Sequence, residues 1–348
     1  MMSELHLDWE TRGAVDLKKA GLHVYARDKW TDIWLASYAF GDEPVENWFP
    51  GQPCPPRIKT HIEGGGIVWG HNVFFEIELC NEVAAKRYGW PRLKVEQCRC
   101  TMACAYAMSL PGSLENAAAA VGLEHQKDTA GGRVMMQIAK PRDTAPDGTP
   151  IWWDDPAKLQ RVAAYGRQDI ETERALSKRL LPLSDSELRL WFLDAEINSR
   201  GVQVDLPAVK KAIEIVRMET LRLNAEIRQV TNNAVATCTA HQQLRDWLAY
   251  RGVSTDSVAK GDVIDLLDGE LPDDCRKALL LRQEAAKTST AKFESMANGA
   301  CDDGRLRGMF QYHAASTGRW GGRRVQLQNL PRPKLKQAEI DEVFECLR

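Results

Sequence analysis

Two carboxylates near the N-terminus, Asp8 and Glu10, are separated by one tryptophan in the stretch LDWETRG. Apolar residues around them predict a first strand, and side chains two residues apart on a strand project from the same face. Two anions held this close repel each other unless a cation compensates them. The pair predicts a cation site, although two carboxylates that face water are the alternative for these residues alone.

Two later segments add polar side chains of the same kind. In GHNVFFE, Asn72 and Glu76 lie where a strand passes into a helix. In YGRQD, Tyr165 and Asp169 are four residues apart on a predicted helix and share a face. Four carboxylates and a tyrosine therefore form one candidate site.

The motifs DWE, NVFFE and YGRQD, in this order, resemble those of the DEDD exonuclease superfamily, in the subclass whose third motif carries tyrosine. The resemblance implies that four acids hold two divalent ions, Mg²⁺ or Mn²⁺: Asp8, Glu10, Glu76 and Asp169. It implies that Tyr165 orients the attacking water. Thr11 and Asn72 are expected to touch the terminal nucleotide.

Phosphodiester hydrolysis accounts for these residue types. Two metal ions about 3.5–4 Å apart can lower the pKa of a water nucleophile and neutralise the leaving 3′ oxygen. Hard cations prefer carboxylate oxygens, so cysteine and histidine are not required. A tyrosine with a pKa of about 10 is protonated at neutral pH and so does not serve as the base, and we assign Tyr165 a hydrogen bond to the water.

The second motif departs from the family, because it ends in Glu76 where aspartate is usual. One additional methylene moves the carboxylate and can convert a direct metal bond into a water-mediated one. An inactive exonuclease is the alternative that this substitution leaves open.

The distal stretch STGRWGGRRVQLQNLP resembles the segment TGR…NLQN[IL]P that leads into the palm of family A DNA polymerases, the bacterial polymerase I type. SRGVQVD, LRQEAAKTSTAKF and GRLRGMFQYHAASTGRW resemble the thumb entry, the thumb tip and the return to the palm. CTMACAYAMSLPGSLENAAAAVGL, AKPR and the early first motif resemble the bacteriophage-type subgroup. The resemblance implies that four residues contact the duplex or its backbone: Lys287, Ser289, Thr290 and Lys292. It implies that three residues hold primer or template strands: Arg319, Gln328 and Asn329.

Charge along the chain agrees with a nucleic-acid partner. Residues 305–336 contain eight Lys or Arg and no Asp or Glu, whereas the whole chain has a net charge of −2. Such a stretch attracts a phosphate backbone whatever its sequence. A solvated surface segment is the alternative. The expected partners are a single-stranded DNA 3′ end, a primer-template duplex, and the remaining palm and fingers of a polymerase.

The elements that must position these residues follow from hydrophobic periodicity. DIWLASYAFGDEPVENWF predicts a hairpin, VFFEIELCNEVAAKRYG a helix, and residues 126–150 a long surface loop. Asp155 and Pro156 predict a helix start, and Asp205 precedes a long helix with one apolar stripe. We expect an α/β ribonuclease H-like exonuclease domain, a mixed sheet with flanking helices, over residues 1–185. A mainly helical thumb-like domain over 186–312 and the truncated start of a palm over 313–348 should follow.

Composition limits the class of protein. The 348 residues, 44% hydrophobic, contain no apolar run long enough to span a bilayer and no signal-peptide pattern at the N-terminus. Nine cysteines at irregular spacing indicate reduced thiols, and Cys98, Cys100 and Cys104 favour buried thiols over a zinc site. We expect a cytosolic protein, in a bacterial host if phage-encoded, with no membrane partner.

The leading functional prediction is a proofreading 3′-5′ exonuclease within a family A DNA polymerase. The later aspartate motifs of the polymerase site are absent up to Arg348, so this chain alone is not expected to polymerise DNA. A catalytically inactive DNA-binding portion of a polymerase and an RNA-trimming DEDD ribonuclease are the alternatives.

Overall fold

A five-stranded mixed sheet holds the first motif at its centre. The computed structural model describes residues 3–123, 128–286, 290–315, 317–330 and 335–347. The strands of this sheet are β1 (Leu5–Arg12), β2 (Asp32–Phe40), β3 (Glu46–Trp48), β4 (Val68–Gly70) and β5 (Cys98–Cys100). Their order is β3-β2-β1-β4-β5. β2 pairs antiparallel with β3, which confirms the predicted hairpin. β1 pairs antiparallel with β2 and parallel with β4, which confirms the mixed sheet.

Ten helices of the described residues accompany this sheet in sequence. They are α1 (Leu17–Ala20), α2 (Leu22–Arg27), α3 (Pro56–Glu63), α4 (Phe74–Leu79), α5 (Ala85–Tyr88), α6 (Thr101–Ala107), α7 (Leu114–Ala120), α8 (Thr129–Ile138), α9 (Pro156–Ser177) and α10 (Asp185–Arg200). A π-helical turn, Cys80–Ala84, joins α4 to α5 as one helical segment. α9 begins where predicted, since the Asp155 side chain accepts hydrogen bonds from the Ala157 and Lys158 amides.

Short two-residue strands form three further antiparallel pairs. They are β6 (Asp143–Thr144), β7 (Pro150–Ile151), β8 (Val202–Gln203), β9 (Arg305–Leu306), β10 (Phe310–Gln311) and β11 (Gly321–Gly322). β6 pairs with β7, β8 with β9 and β10 with β11.

The predicted surface loop over residues 126–150 is wrong in its centre, where the ten-residue helix α8 lies. Asp128 caps this helix by accepting a hydrogen bond from the Gly131 amide. Ile138 of α8 is buried in a cluster with Leu35 and Val162, which belong to β2 and α9. The glycines and charges of the segment favour a loop locally, but this apolar contact across the fold stabilises a helix.

The core of the sheet is rich in tryptophan. Trp9 packs edge-on against Trp48 and Trp90 at ring-centroid distances of 6.2 and 4.7 Å, and all three are at most 3% exposed. Such edge-to-face pairs add to the stabilisation from burial. Because Trp9 points into this core, the alternating residues Asp8 and Glu10 point to the other side of β1.

Backbone packing divides the chain into two units, Met1–Gln203 with Gly299–Gln328, and Val204–Asn298 with Asn329–Arg348. α10 packs with the first unit because Trp191 stacks on Phe74 at a centroid distance of 5.0 Å. The boundaries of these two units differ from the predicted domain boundaries at residues 185 and 312. The predicted boundaries of exonuclease, thumb and palm concern functional domains and stay predictions.

The second unit is helical in its described residues. Its helices are α11 (Leu206–Val230), α12 (His241–Tyr250), α13 (Lys260–Asp268), α14 (Asp273–Ala285), α15 (Ala291–Gly299) and α16 (Gln337–Leu347). The predicted long helix is confirmed in α11, which Asp205 caps and whose Leu223 and Ile227 are buried with Leu248 and Leu279. Among the described residues, no helix combines the length and apolar character needed to cross a membrane.

Candidate metal centre

Strand β1 and helix α9 together form the candidate site. α9 packs against β1 and β2. Gly166 allows this close approach, because a Cβ atom at that position would lie 2.4 Å from Ser37 Oγ on β2. The buried Ser37 hydroxyl is itself held by a hydrogen bond to Asn47 Oδ1 (2.9 Å), so it has little room to move. The residues of α9 that face β1 are thus brought next to the first motif.

Three of the predicted acids meet in one group. Carboxylate oxygens of Asp8, Glu10 and Asp169 all lie within 4.8 Å of one another, so a single cation could contact all three. Glu10 is 5% exposed, whereas Asp8 and Asp169 are half-buried. The structure therefore brings together residues that are 160 positions apart in the sequence.

The pKa values of the acids in this group are raised because the carboxylates are buried close to one another. Burial, followed by the charges of Asp169 and Glu173, raises the pKa of Asp8 to about 7. Burial and the neighbouring charges of Asp8 and Asp169 hold the pKa of Glu10 well above its ordinary value. A divalent cation bound to these acids would offset the repulsion between their negative charges.

Tyr165 lies one turn before Asp169 on α9 and is 5% exposed. Its hydroxyl donates a hydrogen bond to the Asp169 carboxylate. Burial first, and then the negative charge of Asp169, raises the pKa of Tyr165 above its ordinary value. The phenol therefore stays protonated and acts as a neutral hydrogen-bonding group.

Glu76 lies in the first turn of α4 and is 2% exposed. Its Oε2 atom is buried and has no hydrogen-bond partner among the described residues. Burial first, and then the charge of Asp8, raises its pKa well above the ordinary value. Glu76 is outside the group of three carboxylates but interacts electrostatically with it. An unpartnered buried carboxylate oxygen is consistent with a cation ligand.

Two buried residues that the three motifs do not contain lie on the same elements as the site. Glu173 follows Asp169 by one further turn of α9, and His6 precedes Asp8 by two residues on β1. His6 Nδ1 lies 2.5 Å from Glu173 Oε2, and both residues are at least 95% buried. The signal was the same spacing that identified the other residues, two along a strand and four along a helix.

The residues at this centre suit a hard divalent cation. All donors in the group of three are carboxylate oxygens, which Mg²⁺ and Mn²⁺ prefer. Glu76 also has a buried, unpartnered carboxylate oxygen, but it is not part of this group. Cys98, Cys100 and Cys104 are buried free thiols, as predicted, and burial raises the pKa of Cys100 to about 11.

The predicted nucleotide contacts lie near the first motif. The Thr11 hydroxyl is 3.0 Å from the Tyr25 hydroxyl, so this contact orients Thr11. Asn72 has a left-handed backbone (φ 64°) at the turn between β4 and α4. Their roles at DNA stay predictions.

The predicted polymerase-type DNA contacts are dispersed along the chain. Lys287 and Ser289 lie outside the described residues, and Thr290 immediately precedes α15. Lys292 Nζ donates to the Asn329 carbonyl (3.0 Å). Arg319 Nε donates to Thr317 Oγ1 (3.1 Å), and the Gln328 amide packs on Gly322. Their roles at DNA stay predictions.

Comparison with known proteins identifies chains similar to this one, among them the two that follow. No family model matches this sequence. The DNA polymerase of Bacillus phage SP02 is 36% identical over 348 residues, which cover 97% of this chain and 53% of that protein. The POL domain of Pol1 from M. smegmatis, in a complex with DNA primer-template and dNTP, has a TM-score of 0.57 at 17% identity. This match covers 96% of the chain and 53% of that structure, and it shows similarity of fold. The chain spans about half the length of each protein that it matches.

Proposed function

We propose that this chain is part of a family A DNA polymerase of the bacteriophage type, and that its first unit is a metal-dependent 3′-5′ exonuclease that edits DNA 3′ ends. Homology to a phage DNA polymerase over 97% of the chain supports the polymerase assignment. The observation that carries the exonuclease assignment is the group formed by Asp8, Glu10 and Asp169, whose carboxylate oxygens lie within 4.8 Å of one another.

Each residue of the centre has a role that its surroundings support. The three carboxylates would hold a divalent cation beside β1. Divalent ions at such a cluster lower the pKa of a water nucleophile and neutralise a leaving 3′ oxygen. Because Tyr165 is held by Asp169 and its pKa is raised, it positions the water as a neutral hydrogen-bonding group and does not act as the base.

Editing selects mispaired primer ends because they fray more readily than paired ends. Unpairing a mismatch costs less than unpairing a match, by about a few kcal/mol at most. The basic stretch of residues 305–336 and the second, helical unit are proposed to bind the primer-template duplex. DNA polymerisation, and binding of the remaining palm and fingers, are proposed for the longer protein to which this chain would belong. We propose the cytosol as the compartment of this chain.

Digestion of single-stranded DNA tests the exonuclease assignment. We expect release of mononucleotides in Mg²⁺ by the unaltered chain and none by Asp8→Ala. Asp268→Ala, which removes an exposed acid at the end of α13, is the control and should digest DNA at the unaltered rate.

A matched RNA strand distinguishes the RNA-trimming alternative, which predicts faster digestion of RNA. Glu76 lies outside the group of three carboxylates, and this observation favours the alternative of an inactive DNA-binding portion. That alternative predicts salt-sensitive binding of primer-template without digestion in either Mg²⁺ or Mn²⁺.

A further inference from the structure

Helix α8 connects the elements that carry the first and third motifs, although neither motif contains it. At the C-terminal end of α8, the Ala139 carbonyl accepts a hydrogen bond from the amide of Gly13 (3.0 Å), which directly follows β1. The Ile138 carbonyl accepts one from Trp34 Nε1 on β2 (3.0 Å). Carbonyls at a helix C-terminus have no partner within the helix, so both bonds satisfy groups that need one. They fix this end of α8 beside the sheet.

An ion pair fixes the beginning of α8 to α9. Both Nη atoms of Arg161 on α9 donate to the Asp128 carboxylate, Nη1 to Oδ2 and Nη2 to Oδ1. Such a pair fixes orientation as well as distance, because the planar guanidinium matches the carboxylate. Asp128 also caps α8, since its Oδ1 accepts a hydrogen bond from the Gly131 amide (2.9 Å). One carboxylate thus joins the first turn of α8 to α9.

Tyr165 lies under α8, next to this ion pair. Arg161 precedes Tyr165 by one turn of α9. A Cβ atom at Gly131 would lie 2.9 Å from Tyr165 Cβ, and one at Gly132 would lie 3.6 Å from Tyr165 Cε2. The two glycines therefore let the backbone of α8 approach Tyr165 from its Cβ to the edge of its ring. This contact contributes to the burial of Tyr165, which is 5% exposed.

Gly131 is the point where the ion pair and the tyrosine meet. A Cβ atom there would also lie 2.5 Å from Asp128 Oδ2 and 2.7 Å from Arg161 Nη1. Apolar packing of α8 takes place at its other end, where Ile138 is buried in the cluster that also contains residues of β2 and α9. That packing stabilises the helix without the ion pair. The ion pair therefore serves the position of the first turn against Tyr165 more than the existence of α8.

We propose that α8 is a strap that holds the Tyr165 ring in the orientation needed for catalysis, and that Asp128 and Arg161 are the positioning residues that fix this strap. The inference rests on the proposed function, in which Tyr165 orients the attacking water. Asp169 holds the hydroxyl of Tyr165, and α8 confines the rest of the side chain. Misplacement of a reacting group by about 1 Å can lower a rate about 10²-fold. Loss of the strap should therefore slow the chemical step, while the three carboxylates still bind metal.

Fluorine NMR of the full chain labelled with 3-fluorotyrosine tests the strap without any measurement of activity. The chain contains seven tyrosines, and the resonance that Tyr165→Phe removes is that of Tyr165. We expect Arg161→Met to shift or broaden this resonance, because the first turn of α8 no longer confines the ring. Arg57→Met is the matched control, since Arg57 forms a two-bond pair with Glu43 outside the three motifs. It should leave the Tyr165 resonance unaltered.

Kinetics separate the positioning role from a general loss of stability. At a temperature where each variant is folded, Arg161→Met should digest DNA about 10-fold more slowly in a single turnover. Its affinities for Mn²⁺ and for DNA should stay within about twofold of those of the unaltered chain. Arg161→Lys retains the charge without the planar fork, so it should restore part of the rate. Asp128→Asn retains a capping oxygen but loses the ion pair, so it should be as slow as Arg161→Met.

The two glycines provide an independent test if Arg161→Met folds poorly. Gly131→Ala pushes the first turn of α8 away from Tyr165, so it should shift the Tyr165 resonance and slow digestion. Gly132→Ala adds a Cβ in ordinary van der Waals contact with the ring, so its effect on both measurements should be much smaller. Equal effects of these two neighbouring substitutions would contradict the contact that we assign to Gly131.

The outcomes separate this inference from the proposed function. An unaltered Tyr165 resonance in both Arg161→Met and Gly131→Ala would overturn the strap, whether or not the chain digests DNA. A shifted resonance with an unaltered rate of digestion would overturn its role in positioning Tyr165 for catalysis. A shifted resonance in a chain that digests no DNA would support the strap over Tyr165 and overturn the proposed exonuclease.

Discussion

Tyr165 donates a hydrogen bond to the Asp169 carboxylate one turn further along α9, so these two residues of the third motif form one unit. The bond leaves Asp169 in contact with the other acids, whose oxygens lie within 4.8 Å. It also fixes the phenol at the edge of the metal centre. A hydroxyl held in this way can orient a water molecule that attacks the phosphodiester.

Removal of this hydroxyl should separate chemistry from metal binding. We expect Tyr165→Phe to lower the single-turnover rate of DNA digestion by about 10²-fold or more, because the water loses its orienting group. Mn²⁺ binding should be unaltered, since the carboxylates remain. Tyr250→Phe, at a side chain that is 84% exposed, is the matched control. An unaltered rate in Tyr165→Phe would remove the hydroxyl from the mechanism.

Replacement of Asp8 should stabilise the metal-free protein while abolishing stabilisation by metal. The folded-state pKa of Asp8 is raised to about 7, so its ionised form disfavours folding. This penalty is absent below the unfolded pKa of about 4 and complete above about 7. Asp8→Asn should therefore raise Tm at pH 8 in EDTA, by about 2–4 °C per kcal/mol, and leave it unaltered at pH 4.

Thermal melts with and without Mn²⁺ check both parts of that prediction. Mn²⁺ should raise the Tm of the unaltered chain and have little effect on Asp8→Asn, because ligand binding stabilises only a state that binds it. An equal metal-induced shift in the two proteins would show that Asp8 is not a ligand.

Asp194, which belongs to none of the three motifs, provides a second pH-dependent prediction. This residue of α10 is 2% exposed, and burial raises its pKa to about 7, although Asn198 and Arg323 favour the charged form. A raised pKa means that ionisation of Asp194 costs folding free energy as pH rises from about 4 to about 7. Asp194→Asn should raise Tm at pH 8 and much less at pH 5. A gain that does not vary with pH would contradict this assignment.

Gly166 should be intolerant of a side chain. A Cβ at Gly166 would lie 2.4 Å from Ser37 Oγ, so Gly166→Ala should push α9 from β2 and cost about 1–3 kcal/mol of unfolding free energy. Because Asp169 is on α9, Mn²⁺ affinity should fall as well. Gly261→Ala on α13, where a Cβ meets nothing within 4 Å, should be neutral or slightly stabilising. Chemical denaturation and Mn²⁺ titration measure both effects.

Local spacing predicted those parts of the site that lie within one element. Asp8 and Glu10 share a face because strands have a period of two, and Tyr165 and Asp169 share a face because helices have a period near four. The α8 segment was mispredicted because its stability depends on Ile138 packing against Val162, a contact between distant residues. The same helical spacing places Glu173 on the face of α9 that carries Tyr165 and Asp169, although none of the three motifs contains it.

The spacing of residues within a strand or helix could not predict the position of Glu76 relative to Asp8. The sequence places it at the junction of a strand and a helix, but its distance from Asp8 depends on how α4 packs behind β1. Trp9 Nε1 donates to the Glu76 carbonyl (3.3 Å), and this contact between separate elements fixes the first turn of α4. The carboxylate lies outside the group of three acids as a result of that packing.

The most direct test of the account follows a 5′-labelled single strand of DNA during incubation with the full chain. We predict a ladder of products that shorten one nucleotide at a time from the 3′ end, in Mg²⁺ but not in EDTA, and that are absent with Asp169→Asn. A strand that stays intact in both Mg²⁺ and Mn²⁺, or one that Asp169→Asn shortens at the unaltered rate, would contradict the assignment of this centre as a 3′-5′ exonuclease.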